Sequence, residues 1–297
     1  MTIKDAYLQG REHLQAARVS EAAIEAEVLL RFVLGWDRAR LYTHWDGPMP
    51  EAQAARFRAL LEERSRGRPV HYIVGEREFM GLPFALDERV LIPRPETEPL
   101  VEYVALWARR EGAQLIADIG TGCGAIAVSL AHMLPAITLH ATDISAGALD
   151  VARGNAARHG VTARIRFHAG DLLAALPTVL RGRLDVVASN PPYVPEDQAF
   201  LLSREIRDFE PAQAIFVPGD GSVMHRRLIE TAPEWLRPGG LLAMEVGAGQ
   251  AEPVADVMRA DARYTEVVLL PDAIGIERVV AARRRAAPEG ESSGGRK

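Results

Sequence analysis

From about residue 113 onward the chain alternates short β-prone apolar runs with amphipathic stretches of helical period. This rhythm constrains the fold more than any other feature. Strands are expected at 115–119, 138–141, 163–167, 184–189, 241–246, 265–270 and 278–282, and helices at 125–134, 146–159 and 223–236. Strands joined through helices need crossover connections, and those put helices on both faces of a mostly parallel sheet. The expected architecture is therefore α/β, a doubly wound and mostly parallel seven-stranded sheet over 99–282. Ligands of such sheets collect beyond the carboxyl ends of the strands. The residues just after each strand thus carry the functional information.

The first 70 residues have no strand-like alternation. Ile24, Val28 and Phe32 recur four apart, with Leu29 and Val33 beside them, and Phe57, Leu60 and Leu61 repeat the pattern. Gly47-Pro48-Met49-Pro50 breaks the two. A small helical bundle is expected over 1–75, followed by a β-hairpin linker over 76–98. Within this stretch Val70 to Val74 is β-prone, and 84–86 and 90–92 pair as hairpin arms. Gly81-Leu82-Pro83 supplies turn chemistry. Thr97 is the expected N-cap of a helix that faces inward with Leu100, Tyr103, Val104 and Trp107. Residues 283–297 pass from a basic cluster into Pro, Glu, Ser and Gly, the composition of a disordered tail.

Composition narrows the function. With 48% hydrophobic residues, the 297-residue chain has ample core for two domains. No apolar run approaches the roughly 18 residues that span a bilayer, so no membrane partner is expected. Met1 to Asp5 lacks the pattern of a secretory signal. The one cysteine, Cys123, excludes an internal disulfide and a cysteine-based zinc site. The eight histidines show no ligand spacing, so no metal is expected. A cytoplasmic monomer is the resulting expectation. Net charge is −5, residues 1–85 carry 12 basic and 12 acidic side chains, and the remainder carries 23 and 28. Neither part has the basic excess of a protein that binds nucleic acid directly.

Two constellations follow strands. The first is Asp118-Ile119-Gly120-Thr121-Gly122-Cys123-Gly124. Its glycines permit positive φ and close approach of a ligand to bare backbone. The G-x-G-x-G spacing differs from the dinucleotide fingerprint. Asp118 can receive an amino group of a ligand, directly or through water. Asp143 stands 23 residues after Gly120, near the offset of a ribose-binding acid. Asp171 follows the third strand, where it can accept an adenine amino group while Leu172 packs on the ring. Cys123 has no evident partner base and reads as packing under the loop. The second constellation is Asn190-Pro191-Pro192-Tyr193, directly after the apolar run 184–189. Two prolines stop the ladder and stiffen the backbone. They leave an Asn amide, a carbonyl and an aromatic ring at a strand end, an arrangement suited to a planar N–H₂ group.

These motifs, with Arg68-Pro69-Val70-His71-Tyr72-Ile73-Val74-Gly75, Leu91-Ile92-Pro93-Arg94-Pro95-Glu96-Thr97-Glu98 and Asp208-Phe209-Glu210-Pro211, resemble the HemK/PrmC family of peptide chain release factor glutamine-N5 methyltransferases. The resemblance spans about 20–282, and its most specific string is Ile92 to Glu98. It implies a class I fold dependent on S-adenosyl-L-methionine, with S-adenosyl-L-homocysteine as product. Gly120, Thr121, Gly122, Cys123 and Gly124 would wrap the methionine part, Asp143 would bind ribose, and Asp171 with Leu172 would bind adenine. Asn190 would touch both cofactor and substrate. Asn190, Pro191, Pro192 and Tyr193 would hold the glutamine of a release factor's Gly-Gly-Gln motif, with the N-terminal domain helping to dock that factor. Gly219-Asp220-Gly221-Ser222 and Asp272 to Arg278 depart from the family pattern away from this chemistry. The glycine loop and Asn-Pro-Pro-Tyr leave two other acceptors open: a ribosomal-protein glutamine, and the adenine N6 of DNA.

Overall fold

The computed structural model describes residues 1–286; 287–297, most of the expected tail, lie outside the described residues. The chain divides into two units. The first comprises Met1–Arg77, Leu86–Glu88 and Phe200–Glu210, and the second holds the rest.

The first unit is helical: α1 Ile3–Ala16, α2 Ala22–Leu34, α3 Arg38–Thr43, α4 Glu51–Ser65, α5 Val70–Val74 and α9 Arg204–Phe209. Thr2 and Asp5 form a reciprocal capping box at the start of α1. Helix α2 forms as expected and buries Leu29 and Val33, but its inward face is turned away from Ile24 and Phe32. Ala22, Ala26, Leu29, Leu30 and Val33 point inward, whereas Ile24 is 60% and Phe32 38% exposed. The small Ala22 and Ala26 take places in the bundle core that the four-residue stripe of larger side chains does not fill. Val70 to Val74 is a short helix, not a strand. Pro69 pre-sets its entry and Gly75, at φ +76°, ends it in the left-handed region. Arg64 on α4 is buried between Glu25 on α2 and Glu205 on α9, with its Nη2 3.1 Å and 2.7 Å from them. This ties the late segment 200–210 to helices formed much earlier in the chain.

A two-stranded hairpin, β1 Glu76–Phe79 and β2 Leu82–Ala85, replaces the expected pairing of 84–86 with 90–92. Met80 and Gly81 both have positive φ (52° and 73°), as a tight two-residue hairpin turn requires. Residues 90–92 carry no strand, and Pro93 and Pro95 beyond them cannot donate to a ladder.

The second unit is the expected sheet: β3 Leu115–Ile119, β4 Thr138–Asp143, β5 Ile165–Ala169, β6 Leu184–Ser189, β9 Leu236–Glu245, β10 Tyr264–Pro271 and β11 Glu277–Arg284. Short strands β7 Val194–Pro195 and β8 Phe216–Val217 pair separately. Around the sheet lie α6 Glu98–Glu111, α7 Ala125–Met133, α8 Ala146–Arg158, α10 Val223–Trp235 and α11 Ala251–Ala260. Strand order is β10-β11-β9-β6-β3-β4-β5, parallel except that β11 runs against both its neighbours. The larger departures from the expected boundaries have local causes. A 3-10 turn at Thr162–Arg164 delays β5, β9 begins at Leu236 because a register shift against β6 absorbs Arg237 to Gly240, and β11 runs on to Arg284, taking two residues of the expected tail. The core on one face joins Ile119, Val187, Leu242 and Met244 of the sheet to Leu228, Trp235 and Met258 of α10 and α11. From β3 the chain steps outward through β4 to β5, then returns to β6 on the other side of β3. The crevice at that reversal, beyond the carboxyl ends of β3 to β6, is where a ligand is expected.

Candidate active site

A cavity of about 340 Å³ opens at that crevice, and all of its lining belongs to the second unit. Four strand ends build it. After β3 come Gly120 to Cys123 and Ala125, with Gly124 off the wall, after β4 Asp143 to Ser145, after β5 Gly170 to Leu172, and after β6 Asn190 and Pro192. Phe216 and Met224 add apolar wall, and Arg89 to Leu91, Pro93, Arg94 and Thr97 close one side.

The glycine loop owes its shape to Asp118. This carboxyl, wholly buried, accepts from the Thr121 hydroxyl (2.6 Å) and the Ala127 N–H (3.1 Å) through Oδ2. Burial pushes it up to about 7. Asp118 does not line the cavity. Its Oδ1 is buried without a hydrogen-bond partner, so the role visible here is to hold the loop, not to meet a ligand directly. Gly120 and Gly122 have φ of +75° and +55°, and a Cβ on either would meet nothing within 4 Å. Conformation, not crowding, demands glycine, and their bare backbone faces open cavity. Cys123 is buried, its thiol pushed up to about 12 by that burial. Its carbonyl accepts from Asn155 Nδ2 (2.9 Å), which also grips the Ala85 carbonyl (3.0 Å), so Cys123 is packing and not a nucleophile.

Asp143 accepts the Gly122 N–H (2.9 Å) through Oδ2 and the Ser145 N–H (2.8 Å) through Oδ1. Ser145, not Asp143, caps α8, accepting from Ala148 N at 3.1 Å. Each carboxylate oxygen keeps lone pairs for a ligand hydroxyl. Burial raises this acid too. The Gly170 N–H donates to the Asp143 carbonyl (2.9 Å), joining the ends of β4 and β5. Asp171 stands on the wall with Oδ2 taken by Arg227 Nη2 at 2.5 Å. Leu172 has φ +47°, a left-handed conformation that costs a non-glycine residue about 1 kcal/mol. Such strain is retained where a side chain must be aimed, here into the cavity.

At the end of β6, Asn190 Nδ2 donates to Thr97 Oγ1 at 3.1 Å. Thr97 occupies the N-cap position of α6, as expected, but makes no capping bond; its side chain is committed to Asn190 instead. Pro192 lines the cavity and Pro191 is buried beneath it. Tyr193 turns away. Its hydroxyl donates to Glu245 Oε1 (3.2 Å) at the end of β9, and its carbonyl accepts from Gln250 Nε2 (3.0 Å). Burial and the neighbouring Glu245 raise the phenol well above its usual range. Glu245 is 1% exposed and burial pushes it up to about 7. Sequence reasoning missed Glu245 altogether and took Thr97 for a cap. The Ile92 to Glu98 string was the one signal that pointed to this wall. Among the described residues no group of three or more His, Cys, Asp or Glu is placed to hold a metal ion.

Comparison with known proteins agrees with this geometry. Residues 5–75 match the family described as PrmC N-terminal domain, and 101–208 match the methyltransferase small domain. The release factor glutamine methyltransferase of Koribacter versatilis is 41% identical over 96% of this chain and 99% of its own length. That of Cereibacter sphaeroides is 42% identical over 97% and 100%. Among solved structures, a methyltransferase from Pyrococcus furiosus has a TM-score of 0.51 at 17% identity, covering 70% of this chain and 91% of that one. The hMettl16 catalytic domain in complex with MAT2A 3'UTR hairpin 6 has 0.54 at 18%, covering 78% and 83%. These two share the fold. Sheet, cavity and domain matches together make the protein an S-adenosylmethionine-dependent methyltransferase of class I. Identity of this degree over nearly the full length of both chains places it in the release factor glutamine methyltransferase family.

Proposed function

We propose that this enzyme methylates the side-chain amide nitrogen of the glutamine in the Gly-Gly-Gln motif of peptide chain release factors, acting as a cytoplasmic monomer without direct contact to nucleic acid. The observation that carries the reading is Asn190, held at the end of β6 with its N–H₂ engaged by Thr97 and its side chain on the cavity wall. No helix among the described residues is long and apolar enough to cross a membrane. Docking of the release factor falls to the first unit, a role supported by the exposed Ile24 and Phe32 on α2.

The cavity suits S-adenosylmethionine. Gly120 and Gly122 offer open backbone to its methionine part, Asp143 keeps lone pairs for ribose hydroxyls, and Asp171 with Leu172 forms the adenine end. When bound, the cofactor supplies an electrophilic methyl on a positively charged sulfur and is left as S-adenosylhomocysteine. The protein's task lies with the acceptor. An amide nitrogen is a poor nucleophile because its lone pair is delocalised into the carbonyl. Asn190 Oδ1 and the Pro191 carbonyl accept its two protons, fix its orientation and meet the positive charge that grows on N–H during transfer. Pro192 walls this corner. Tyr193, anchored by Glu245 and Gln250, stiffens the backbone that carries the Pro191 carbonyl. The excess proton leaves the nitrogen after transfer, so no protein nucleophile is required.

Methyl transfer from labelled S-adenosylmethionine to a purified release factor, with Gly-Gly-Gln and Gly-Gly-Ala versions side by side, tests this. Label on the first alone is expected. Label on both moves the acceptor elsewhere on the factor. Label on neither overturns the reading and directs the search to ribosomal protein and then DNA.

A further inference from the structure

The Asn190 amide serves the reaction in only one of its two orientations. With Oδ1 toward the cavity it accepts a proton from the substrate amide; turned over, it would set N–H₂ against N–H₂. Thr97 Oγ1, 3.1 Å from Asn190 Nδ2, touches the other end of the amide. A hydroxyl both donates and accepts, so Thr97 alone does not choose. Glu245 supplies the choice. Its Oε1 takes the Tyr193 hydroxyl, while Oε2 is buried with no partner in hydrogen-bond geometry. Thr97 is among the neighbours that favour the ionised form of this carboxyl, and the unpartnered Oε2 is free to take a hydroxyl proton. An ionised carboxylate only accepts. It draws the Thr97 proton toward itself and leaves the Thr97 lone pairs for Asn190. Two further observations fit. Thr97 is buried at a helix N-cap it does not cap, and a carboxyl as buried as Glu245 is costly to keep without such a task. Of the other charged groups near Glu245, Arg278 favours its ionised form and Glu96 opposes it.

We propose that Thr97 and Glu245 are positioning residues for methyl transfer: Glu245 orients the Thr97 hydroxyl, and Thr97 in turn holds the Asn190 amide with its oxygen toward the substrate. This rests on the role given to Asn190 above. Neither residue meets the reacting atoms, so removing the hydroxyl lowers turnover and leaves affinity alone.

The test is a double-mutant cycle on the full chain with the Gly-Gly-Gln release factor. Thr97→Val, which keeps shape and loses the hydroxyl, should lower kcat about 10-fold, the scale of one misdirected hydrogen bond. The Kd for S-adenosylmethionine and the KM for the release factor should stay within about two-fold, since Thr97→Val keeps the wall's shape and the Thr97 hydroxyl is engaged by Asn190. Thr97→Ser should restore most of the loss. In an Asn190→Ala background Thr97→Val should have no further effect, because its route runs through Asn190. Glu245→Gln, which puts a donor where an acceptor was, should repeat the kcat loss and covers the case of a Thr97 variant that fails to fold. The inference is overturned if Thr97→Val and Glu245→Gln both keep wild-type kcat, if Ser is as poor as Val, or if the losses add to that of Asn190→Ala. Failure of the wild-type enzyme to label the factor would instead strike the substrate reading.

Discussion

Asp118 and Glu245 are the same kind of object put to different uses. Each is an acid with almost no exposure near the carboxyl end of a strand, β3 for one and β9 for the other. Burial pushes both up to about 7, and each keeps one oxygen without a partner. Their clients differ. Asp118 holds Thr121 and the backbone of Ala127, three and nine residues on, and so shapes a loop. Glu245 takes the hydroxyl of Tyr193, 52 residues back, and is proposed to orient Thr97, which accepts from Asn190 across 93 residues. The proposed cofactor side of the cavity is thus shaped by backbone near in sequence. The proposed substrate side is set by side-chain orientation gathered from three distant segments. Backbone shape governs whether a ligand fits; side-chain orientation governs whether bound molecules react.

The two sides should therefore fail in different kinetic constants. Removing the amide on the substrate side gives the largest effect. Asn190→Ala should lower methyl transfer roughly 100-fold or more, the scale of one lost transition-state acceptor, while calorimetry shows S-adenosylmethionine binding within a few-fold of wild type. Near-normal turnover in this variant would take Asn190 out of the mechanism. On the cofactor side, Asp118→Ala strands the Thr121 hydroxyl and the Ala127 N–H. Two stranded donors loosen the loop, and the Kd for S-adenosylmethionine should rise about 10-fold or more. Asp118→Asn keeps an acceptor and should bind far better than the alanine variant. A fall in kcat at unchanged Kd for Asp118→Ala would break the division between the two sides.

The same contrast explains what the sequence made legible. Strands β3 and β6 read to the residue because apolar runs bounded by glycine or proline signal buried parallel strands. The glycine loop, Asp143 and Asp171 were visible because their spacing is local. Thr97 was visible only in its wrong role, since a hydroxyl before a helix is ordinarily a cap, and its true partner lies far along the chain. Glu245 gave no signal, because nothing in a strand-end glutamate announces which side chains will surround it. The helical unit was legible as helices but not in its facing. Periodicity found α2, but small residues such as Ala22 and Ala26 carry little periodic signal and yet enter the bundle core. Val70 to Val74 is β-prone by composition and helical by its punctuation, with Pro69 before and Gly75 after.

The smallest effect concerns stability and compares the two acids directly. Both hold their proton more tightly folded than unfolded, from ordinary values of 3.8 and 4.5 up to about 7. The stability each contributes is therefore fully present below its unfolded value and is lost as pH rises through about 7. Wild-type melting alone will not isolate this. Asp143 adds a term of the same sign, whereas His140 and His225, held neutral by burial, gain stability as pH rises. The difference curves do isolate it. Relative to wild type, Asp118→Asn and Glu245→Gln should each gain Tm progressively between about pH 4 and pH 7, by a few degrees, and run level above that. A difference curve flat across the whole range would mean that the acid sheds its proton in the folded state as readily as in the unfolded one. Its neighbours would then meet a carboxylate at every pH, and the two sides of the cavity would differ in their clients alone.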